Sequence, residues 1–381
     1  MSYRPAVMPD APIWFDGHLD LAYLVELGRD LHAPLESCGG PLAPAAVTLP
    51  SLHEGRVRAC LGTIFTEAIV DAPTGGEQAG SYSYPVGDAA AAHRAGLRQL
   101  AVYHAWRDAG VASFLPPRAS TTTQSATSKP VSASHPSQDP GFKPRDSRLF
   151  LGILMECADP ITTPDELLWW AERGVIAIGM AWWRGSRYAG GNGTDGGLTD
   201  LGRELARAMD TLGVVHDLTH LSQRATDELL AHTDRPVIAS HSNCRALLGG
   251  HENKDWQRHL ADETVREIGR RGGIVGVNLV RNFIKVGIDR SNPEDRPTIN
   301  DLIAHVEHVC AVMGHTRGVA LGSDMDGGLT ANDLPLGIDS PADLHRIADA
   351  LVSRGWTDEA IHGFAWGNWA RFWSLDPMGE A

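Results

Sequence analysis

Two side chains near the start of the sequence have the types and the spacing of metal ligands. His18 and Asp20 follow the short apolar, proline-containing run 11–14, which predicts a buried strand. Side chains two apart in an extended strand point the same way, so the pair is predicted to face together at the strand's carboxyl end. An imidazole beside a carboxylate suits a divalent cation such as Zn²⁺. The ordinary alternative is a capping aspartate and a hydrogen-bonded histidine in a turn, and this pair alone does not decide between them.

Residues of the same chemical types follow other predicted strands. There are four of them: Glu156 after residues 149–155, His220 after 214–218, His241 after 236–240 and Asp324 after 318–322. Each one alone could cap a helix or belong to a turn. Together with the first pair they make six polar residues at strand ends. Such a set could hold two cations, with the carboxylate of Glu156 bridging them.

Two other motifs indicate different chemistry, and both are weaker. Residues 191–196 match the Gly-x-Gly-x-x-Gly pattern of dinucleotide sites, but they begin some ten residues after their predicted strand rather than immediately. A mobile active-site loop is the better prediction for them. Residues 324–327 begin like a calcium-binding loop, but Pro335 stands where that loop requires its final glutamate.

The elements that must position these residues alternate along the chain. Eight short apolar runs predict buried strands, at residues 11–14, 56–65, 149–155, 175–181, 214–218, 236–240, 274–279 and 318–322. Helices are predicted at residues 20–28, 88–109, 164–173, 199–212, 223–232, 262–271, 300–313, 341–353 and 357–365. This alternation predicts a single (β/α)₈ TIM barrel, an α/β fold whose active site lies at the carboxyl ends of its strands. The candidate ligands would then share one barrel mouth.

One segment breaks the alternation. Residues 116–148 are rich in Ser, Thr and Pro and contain almost nothing that could pack. They predict a disordered surface insertion in a single barrel domain that spans residues 1–381. His135 lies inside this segment and is not expected to take part in any chemistry.

Composition limits the partners and the compartment. The chain has 381 residues and a formal net charge of −14, which argues against a nucleic-acid or anionic-membrane partner. Five widely spaced cysteines form no Cys-x-x-Cys pair, so neither a disulfide framework nor a cysteine zinc site is predicted. No stretch approaches the roughly 20 apolar residues of a membrane span, and the first ten residues lack the apolar core of a secretory signal. We therefore expect a cytoplasmic protein.

The motifs around the candidate ligands resemble those of the membrane (renal) dipeptidase family, the M19 metallopeptidases of the amidohydrolase-type barrels. The matching segments are DGHLD at 16–20, GILME at 152–156, DGGLT at 195–199, DLTHLS at 217–222, SHS at 240–242, RHLADE at 258–263, GSDMDG at 322–327 and GN at 367–368. They run in family order over about residues 12 to 375, leaving out the insertion.

The resemblance implies a binuclear zinc hydrolase that cleaves dipeptides, with a metal-bridged hydroxide as the nucleophile. It assigns two zinc ions per chain to ligands by position: His18 and Asp20 to one ion, His220 and His241 to the other, and Glu156 to both. The expected partner is a small dipeptide-like substrate. Family members often form homodimers, so a homodimer is a further expectation.

Two more residues receive roles from the resemblance. Arg258 would bind the terminal carboxylate of the substrate, a task that suits a guanidinium fork. From residue types alone, an ordinary surface ion pair with Asp255 or Asp262 is the simpler interpretation of this arginine. Asp324 would orient the hydroxide and carry its proton to the leaving amine.

One position departs from the family pattern. Members usually carry a histidine at the end of the fourth strand, where it contacts substrate and helps to stabilise the oxyanion, but here Trp182 occupies that place. No histidine lies between residues 161 and 215, so no small shift of register restores it. Losing one oxyanion donor typically lowers the rate about 10²–10³-fold. Arg184 and Arg187 are candidates for a substitute donor.

Two functions therefore remain open from the sequence. The first is a working zinc hydrolase of a dipeptide or a related small amide. The second is a metal-retaining homologue with weak or altered activity and a binding or regulatory role. The presence of all five ligands together with Asp324 and Arg258 favours the hydrolase.

Overall fold

In the computed structural model, which describes residues 12–69, 82–118 and 148–375, eight parallel strands form a nearly closed barrel. Labelled in chain order, they are β1 Trp14–Leu19, β2 Val57–Phe65, β3 Leu149–Glu156, β4 Val175–Gly179, β5 Val215–Asp217, β6 Val237–Ala239, β7 Ile274–Val277 and β8 Val319–Leu321. Each strand pairs with its successor in the chain. The predicted (β/α)₈ barrel is confirmed.

The α-helices surround the barrel. They span Leu21–Glu26, Leu49–Glu54, Ala89–Asp108, Leu167–Ala171, Asp200–Leu212, Gln223–His232, Asp262–Arg270, Arg281–Ile284, Ile299–Met313, His345–Ser353, Asp358–His362 and Asn368–Phe372. Several begin at side-chain caps, as Asp200–Leu212 does where the Thr199 hydroxyl accepts from the Gly202 N–H. No helix in the described ranges is both long and apolar enough to cross a membrane.

Some boundaries differ from the prediction. The first strand lies later than the predicted run 11–14: β1 begins only at Trp14 and continues through Asp16 and His18, residues 12 and 13 lie outside it, and residue 11 lies outside the described residues. Its pairing with β2 shifts register between Asp16 and Leu19, which indicates a bulge beside the candidate ligands. Three short strands, Glu67–Ile69, Ser83–Pro85 and Ala112–Phe114, were not predicted, and the last of them pairs with β3. Most of the predicted insertion, residues 119–147, lies outside the described residues.

A side chain closes the barrel between its first and last strands. The Asp16 carboxylate accepts from the Ser323 N–H at 2.8 Å, and the Asp324 N–H donates to the His18 carbonyl at 3.2 Å. These bonds fix the end of β8 against β1. The backbones of His18 and Asp324 therefore lie side by side at the mouth.

Two apolar layers support this arrangement. One lies between the barrel and its helices, and the other fills the interior with strand side chains such as Phe15, Leu61 and Ile176. The interior layer continues into the aromatic rings of the last helix. Trp369 donates its indole N–H to the Leu321 carbonyl at 2.8 Å and is fully buried. The carboxyl end of the barrel is left for polar groups.

Candidate metal centre

The six polar residues predicted at strand ends converge on one point of the barrel mouth. His18 lies in β1, Asp20 follows β1 directly, and Glu156 is the last residue of β3. The other three follow their strands by two or three residues: His220 after β5, His241 after β6 and Asp324 after β8. All are buried or nearly so. This cluster is called the ligand cluster below.

The Glu156 carboxylate lies at the centre of the ligand cluster. Its Oε2 lies 3.3 Å from His18 Nε2, whereas its Oε1 lies 3.1 Å from His220 Nε2 and 3.8 Å from His241 Nε2. The two oxygens therefore face different imidazoles. A carboxylate that bridges two cations needs this division of its oxygens.

The cluster contains two groups of ligand atoms close enough to share an ion. One is formed by His18, Glu156 and His241, and the other by His18, Asp20 and Asp324, with all atoms of a group within 4.8 Å of one another. His18 Nε2 is buried and makes no well-aligned hydrogen bond among the described residues, although Glu156 Oε2 lies 3.3 Å away. A buried nitrogen without a partner costs about 1–3 kcal/mol, and a cation would accept its lone pair. The donor set thus fits divalent metal ions.

The grouping of the histidines is less separated than the resemblance implies. The His241 ring centroid lies 3.6 Å from that of His18 and 5.0 Å from that of His220. Its Nε2 atom lies 3.1 Å from His220 Nε2. His241 is therefore close to both of the other imidazoles rather than to His220 alone.

A second layer of hydrogen bonds orients the imidazoles. Asn192 Oδ1 lies 3.0 Å from His220 Nδ1, so that nitrogen donates and Nε2 keeps its lone pair. Ser240 Oγ lies 2.9 Å from His241 Nδ1 and donates to Asp217 Oδ2 at 2.5 Å. Because this hydroxyl already donates to a carboxylate, it accepts from His241 Nδ1–H. Both histidines thus direct Nε2 into the cluster.

The electrostatics of the cluster suit ligation. Burial lowers the pKa of His220 to about 4, an effect that the Arg258 cation reinforces, and burial with the His18 charge lowers the pKa of His241. Both imidazoles are neutral at pH 7, the form that binds a metal. Burial opposes the charged forms of His18 and Glu156, but their mutual attraction raises the pKa of His18 and lowers that of Glu156. The carboxylates that favour a proton on His18 would favour a metal cation in its place.

Asp324 differs from the other carboxylates. Burial raises its pKa to about 7, with His18 opposing and Asp20 reinforcing the rise. Its Oδ2 accepts from Asn278 Nδ2 at 2.8 Å, and its backbone φ of 59° lies in the left-handed region. A carboxylate with a pKa near neutrality can both accept and return a proton.

Arg258 makes no ion pair with Asp255 or Asp262. The residue is 4% exposed, and its guanidinium donates to Ser242 Oγ at 3.1 Å and to the His241 carbonyl at 2.8 Å and lies over the Phe283 ring. The surface ion pair considered from residue types is therefore wrong. A buried cation beside the ligand cluster is available to an anionic group.

A cavity of about 360 Å³ opens above the ligand cluster. Arg258 and Phe283 line it, and so do the aromatic residues Tyr23, Phe65, Tyr82 and Trp182. Trp182 is half-buried, and its ring centroid lies 5.8 Å from that of His220. The residue predicted to replace a histidine therefore does lie at the site.

Sequence reasoning missed several residues of the site. Asn278 directly follows β7, so the strand-end rule would have found it. Asn192 lies in the glycine-rich loop that was predicted to reach the active site, and the loop does reach it. That Asn192 pairs with His220 was not predictable. Arg187, a candidate substitute donor, instead pairs with Asp159 and donates to the Ile161 carbonyl.

Comparison with known proteins identifies the family. The family model described as membrane dipeptidase (peptidase family M19) matches residues 4–376. An uncharacterised protein from the region 5′ of pqqA in Klebsiella pneumoniae is 32% identical over 206 residues, which are 52% of this chain and 71% of that protein. An uncharacterised dipeptidase of Schizosaccharomyces pombe is 32% identical over 183 residues, 47% of this chain and 40% of that protein.

Solved structures show the same fold. A crystal structure of the M19 metallopeptidase dipeptidase AC superposes with a TM-score of 0.73 at 22% identity, over 96% of this chain and 99% of that one. A metallopeptidase from Rhodobacter sphaeroides, solved with a phosphinate mimic of the dipeptide L-Ala-D-Ala, gives a TM-score of 0.72 at 22% identity, with the same coverage.

Proposed function

This chain belongs to the membrane dipeptidase family, peptidase family M19, and on that premise we propose that it is a binuclear zinc dipeptidase whose centre is the ligand cluster. The observation that carries the proposal is the position of Glu156. Its two oxygens face different imidazoles, as a carboxylate shared by two ions requires.

Five residues would hold the metal ions: His18, Asp20, Glu156, His220 and His241. Zinc suits this mixture of imidazole and carboxylate donors. When bound, the two ions would make hydroxide available at neutral pH and polarise the scissile carbonyl. The hydrogen bonds from Asn192 and Ser240 would keep the imidazoles in the ligating tautomer.

The remaining polar groups would bind the substrate and move its proton. Arg258 would take the terminal carboxylate, since its Nε has no hydrogen-bond partner among the described residues while both terminal nitrogens are held in place. Asp324 would accept a proton from the nucleophile and return it to the leaving amine, for which a pKa near neutrality is suited. Asn278 would orient the Asp324 carboxylate during that transfer.

The alternative is a metal-retaining homologue with weak or altered activity. It is favoured by Trp182, whose ring stands beside His220 where a hydrogen-bond donor from a histidine is expected. Without that donor the oxyanion would be less stabilised, at a typical cost of about 10²–10³-fold in rate.

Two measurements test the proposal. Elemental analysis of zinc-supplemented protein is expected to give about two zinc ions per chain, the content of a two-metal site. A screen of dipeptides and N-acyl amino acids with the same preparation is expected to show hydrolysis of dipeptides. A zinc content near zero would contradict the binuclear site, whereas full zinc content without hydrolysis would favour the weak homologue.

His220→Ala or His241→Ala is expected to lower the zinc content, because neither strand end offers a replacement ligand.

A further inference from the structure

The substrate groups bound at the mouth can be placed by barrel topology. Arg258 is fixed to the carbonyl of His241 and the hydroxyl of Ser242, two and three residues after the end of β6. Phe65 is the last residue of β2. In an eight-strand ring, β2 and β6 are four places apart and therefore face each other across the mouth. A dipeptide whose carboxylate meets Arg258 would direct its amino-terminal residue toward Phe65.

Aromatic rings form a continuous surface on that side. Tyr23 meets Phe65 edge to face at 5.4 Å and Tyr82 at 4.7 Å, while Phe65 stacks on Tyr82 at 5.6 Å. Phe65 also meets Trp182 edge to face at 5.2 Å. All four residues line the cavity, and we call them the aromatic wall. Mutual packing of this kind holds the rings in fixed orientations.

We propose that the aromatic wall is the subsite for the side chain of the substrate's amino-terminal residue, and that it selects a large apolar side chain. The inference rests on the proposed dipeptidase function. Burying such a side chain on ring surfaces removes apolar area from water, whereas glycine at the same position would leave the wall uncovered.

A cationic side chain is the competing occupant, because aromatic rings also bind cations and Glu67 lines the same side of the cavity. Two observations favour an apolar side chain over a cationic one. Burial raises the pKa of Glu67, and the nearby Arg184 cation opposes that rise, so its carboxylate already faces a positive charge. Tyr23 also meets both Phe65 and Tyr82 edge to face, and Phe65 stacks on Tyr82, so part of the ring surface that a cation would need is already used in packing.

The first experiment compares kcat/KM for Gly-Ala, Lys-Ala and Phe-Ala with zinc-loaded protein. Phe-Ala is expected to exceed both others by about tenfold or more, the discrimination typical of a hydrophobic pocket. Trp182→Leu and Tyr82→Ala are expected to reduce the Phe-Ala to Gly-Ala ratio at least about threefold, by removing part of the ring surface. The reversed series, Ala-Gly and Ala-Phe, is expected to keep its ratio in both variants.

Trp169→Leu is the matched control. Trp169 is also half-buried, but it packs against Arg173 on an outer helix and does not line the cavity. The Trp169→Leu substitution removes an indole ring at a distance from the aromatic wall, so the ratio of kcat/KM for Phe-Ala to that for Gly-Ala is expected to stay unchanged. A change in that ratio equal to the change in Trp182→Leu would show a general effect of the substitution and overturn the proposal.

A binding experiment separates failure of the wall from failure of the proposed function. Asp324→Asn protein lacks the proton carrier, so calorimetry with Phe-Ala and Gly-Ala measures binding without turnover. Tighter binding of Phe-Ala, together with no hydrolysis by the wild type, would support the wall and contradict the dipeptidase. Hydrolysis with no preference for Phe-Ala, or with a preference for Lys-Ala, would overturn the wall and leave the dipeptidase standing.

Discussion

Both ends of the barrel interior are buried, but the carboxyl end buries carboxylates and imidazoles whereas the amino end buries tryptophan and phenylalanine rings. At the carboxyl end, each ligand of the cluster lies within 4 Å of another charged or polar group. From the amino end, the last helix inserts Trp369 into the interior so far that a Cβ on Gly17, the neighbour of His18, would lie 2.6 Å from its ring.

The difference separates function from stability. Burying ionisable groups is costly unless partners compensate, so the carboxyl end stabilises the fold little and is available for chemistry. Burying aromatic rings removes apolar area from water and contributes directly to the free energy of folding. Substitutions at the two ends are therefore expected to affect different measurements.

The largest expected effect is on activity, at the carboxyl end. Glu156→Gln keeps the side-chain shape but replaces an oxygen that faces imidazoles with an amide nitrogen. We expect kcat/KM on a dipeptide to fall by at least about 10³-fold, beyond the usual loss of one oxyanion donor. Zinc content should fall in the same preparation. The melting temperature, compared between metal-free variant and metal-free wild type so that zinc binding does not contribute, should change little, and a large drop would show that the cluster also stabilises the barrel.

The next effect is on stability, at the amino end. Trp369→Ala removes a fully buried ring and its hydrogen bond to the Leu321 carbonyl, and is expected to lower the free energy of unfolding by about 3–5 kcal/mol. Urea denaturation measures the loss, and kcat per folded molecule should remain near the wild-type value. Trp169→Ala, on an outer helix, is the control and should cost less. Loss of activity in folded Trp369→Ala protein would contradict the separation.

A third substitution, of Arg29, should affect both activity and stability, unlike the first two. Asp326 is fully buried at the carboxyl end, pairs with Arg29 and accepts from the N–H groups of Ala46 and Val47 at 2.8 and 2.7 Å. This pairing fixes the loop that holds Asp324 in its left-handed conformation.

Arg29→Met would leave a buried carboxylate without its cation, and removing one partner of a buried pair costs about 3–5 kcal/mol. We expect urea denaturation to show that loss and kcat to fall while KM changes less, because Asp324 loses its fixed position. Arg29→Lys retains a positive charge and should recover part of the lost stability and part of the lost kcat. A stability loss with unchanged kcat would show that the pair supports the fold alone.

These regions also differ in how far the sequence predicts them. The helix Gln223–His232 and the end of β3 at Glu156 agree with the sequence prediction, because apolar runs bounded by caps and polar residues specify such elements locally. The polar strand ends were predictable for the same reason. The continuation of β1 past Trp14 was not predictable. Asp16 lies inside the strand because its carboxylate closes the barrel by a contact with Ser323, which comes from the far end of the chain.

The aromatic wall was beyond sequence reasoning for a different reason. Aromatic residues are common in cores, and only the assembled barrel shows that Tyr23 and Tyr82 meet Phe65 at the cavity. Trp182 was found only because the family resemblance expected a histidine at its position. Residues that act by shape rather than by charge leave no chemical signal in the chain.

The smallest effect concerns Trp182, where a ring of the wall stands beside a ligand of the cluster. Trp182→His is expected to raise kcat on Gly-Ala by about tenfold, less than the full 10²–10³-fold worth of an oxyanion donor, because the new imidazole is not held by a matched second layer. KM should change less than kcat, since the restored donor acts on charge that develops in the transition state. The gain in kcat should be smaller for Phe-Ala, which also loses contact with the indole.

Arg258→Ala should instead raise KM for every substrate with a free carboxylate. If the wild type already hydrolyses Gly-Ala rapidly and Trp182→His slows it, Trp182 serves only as a wall, and Arg290, which also lines the cavity, becomes the next candidate for the oxyanion donor.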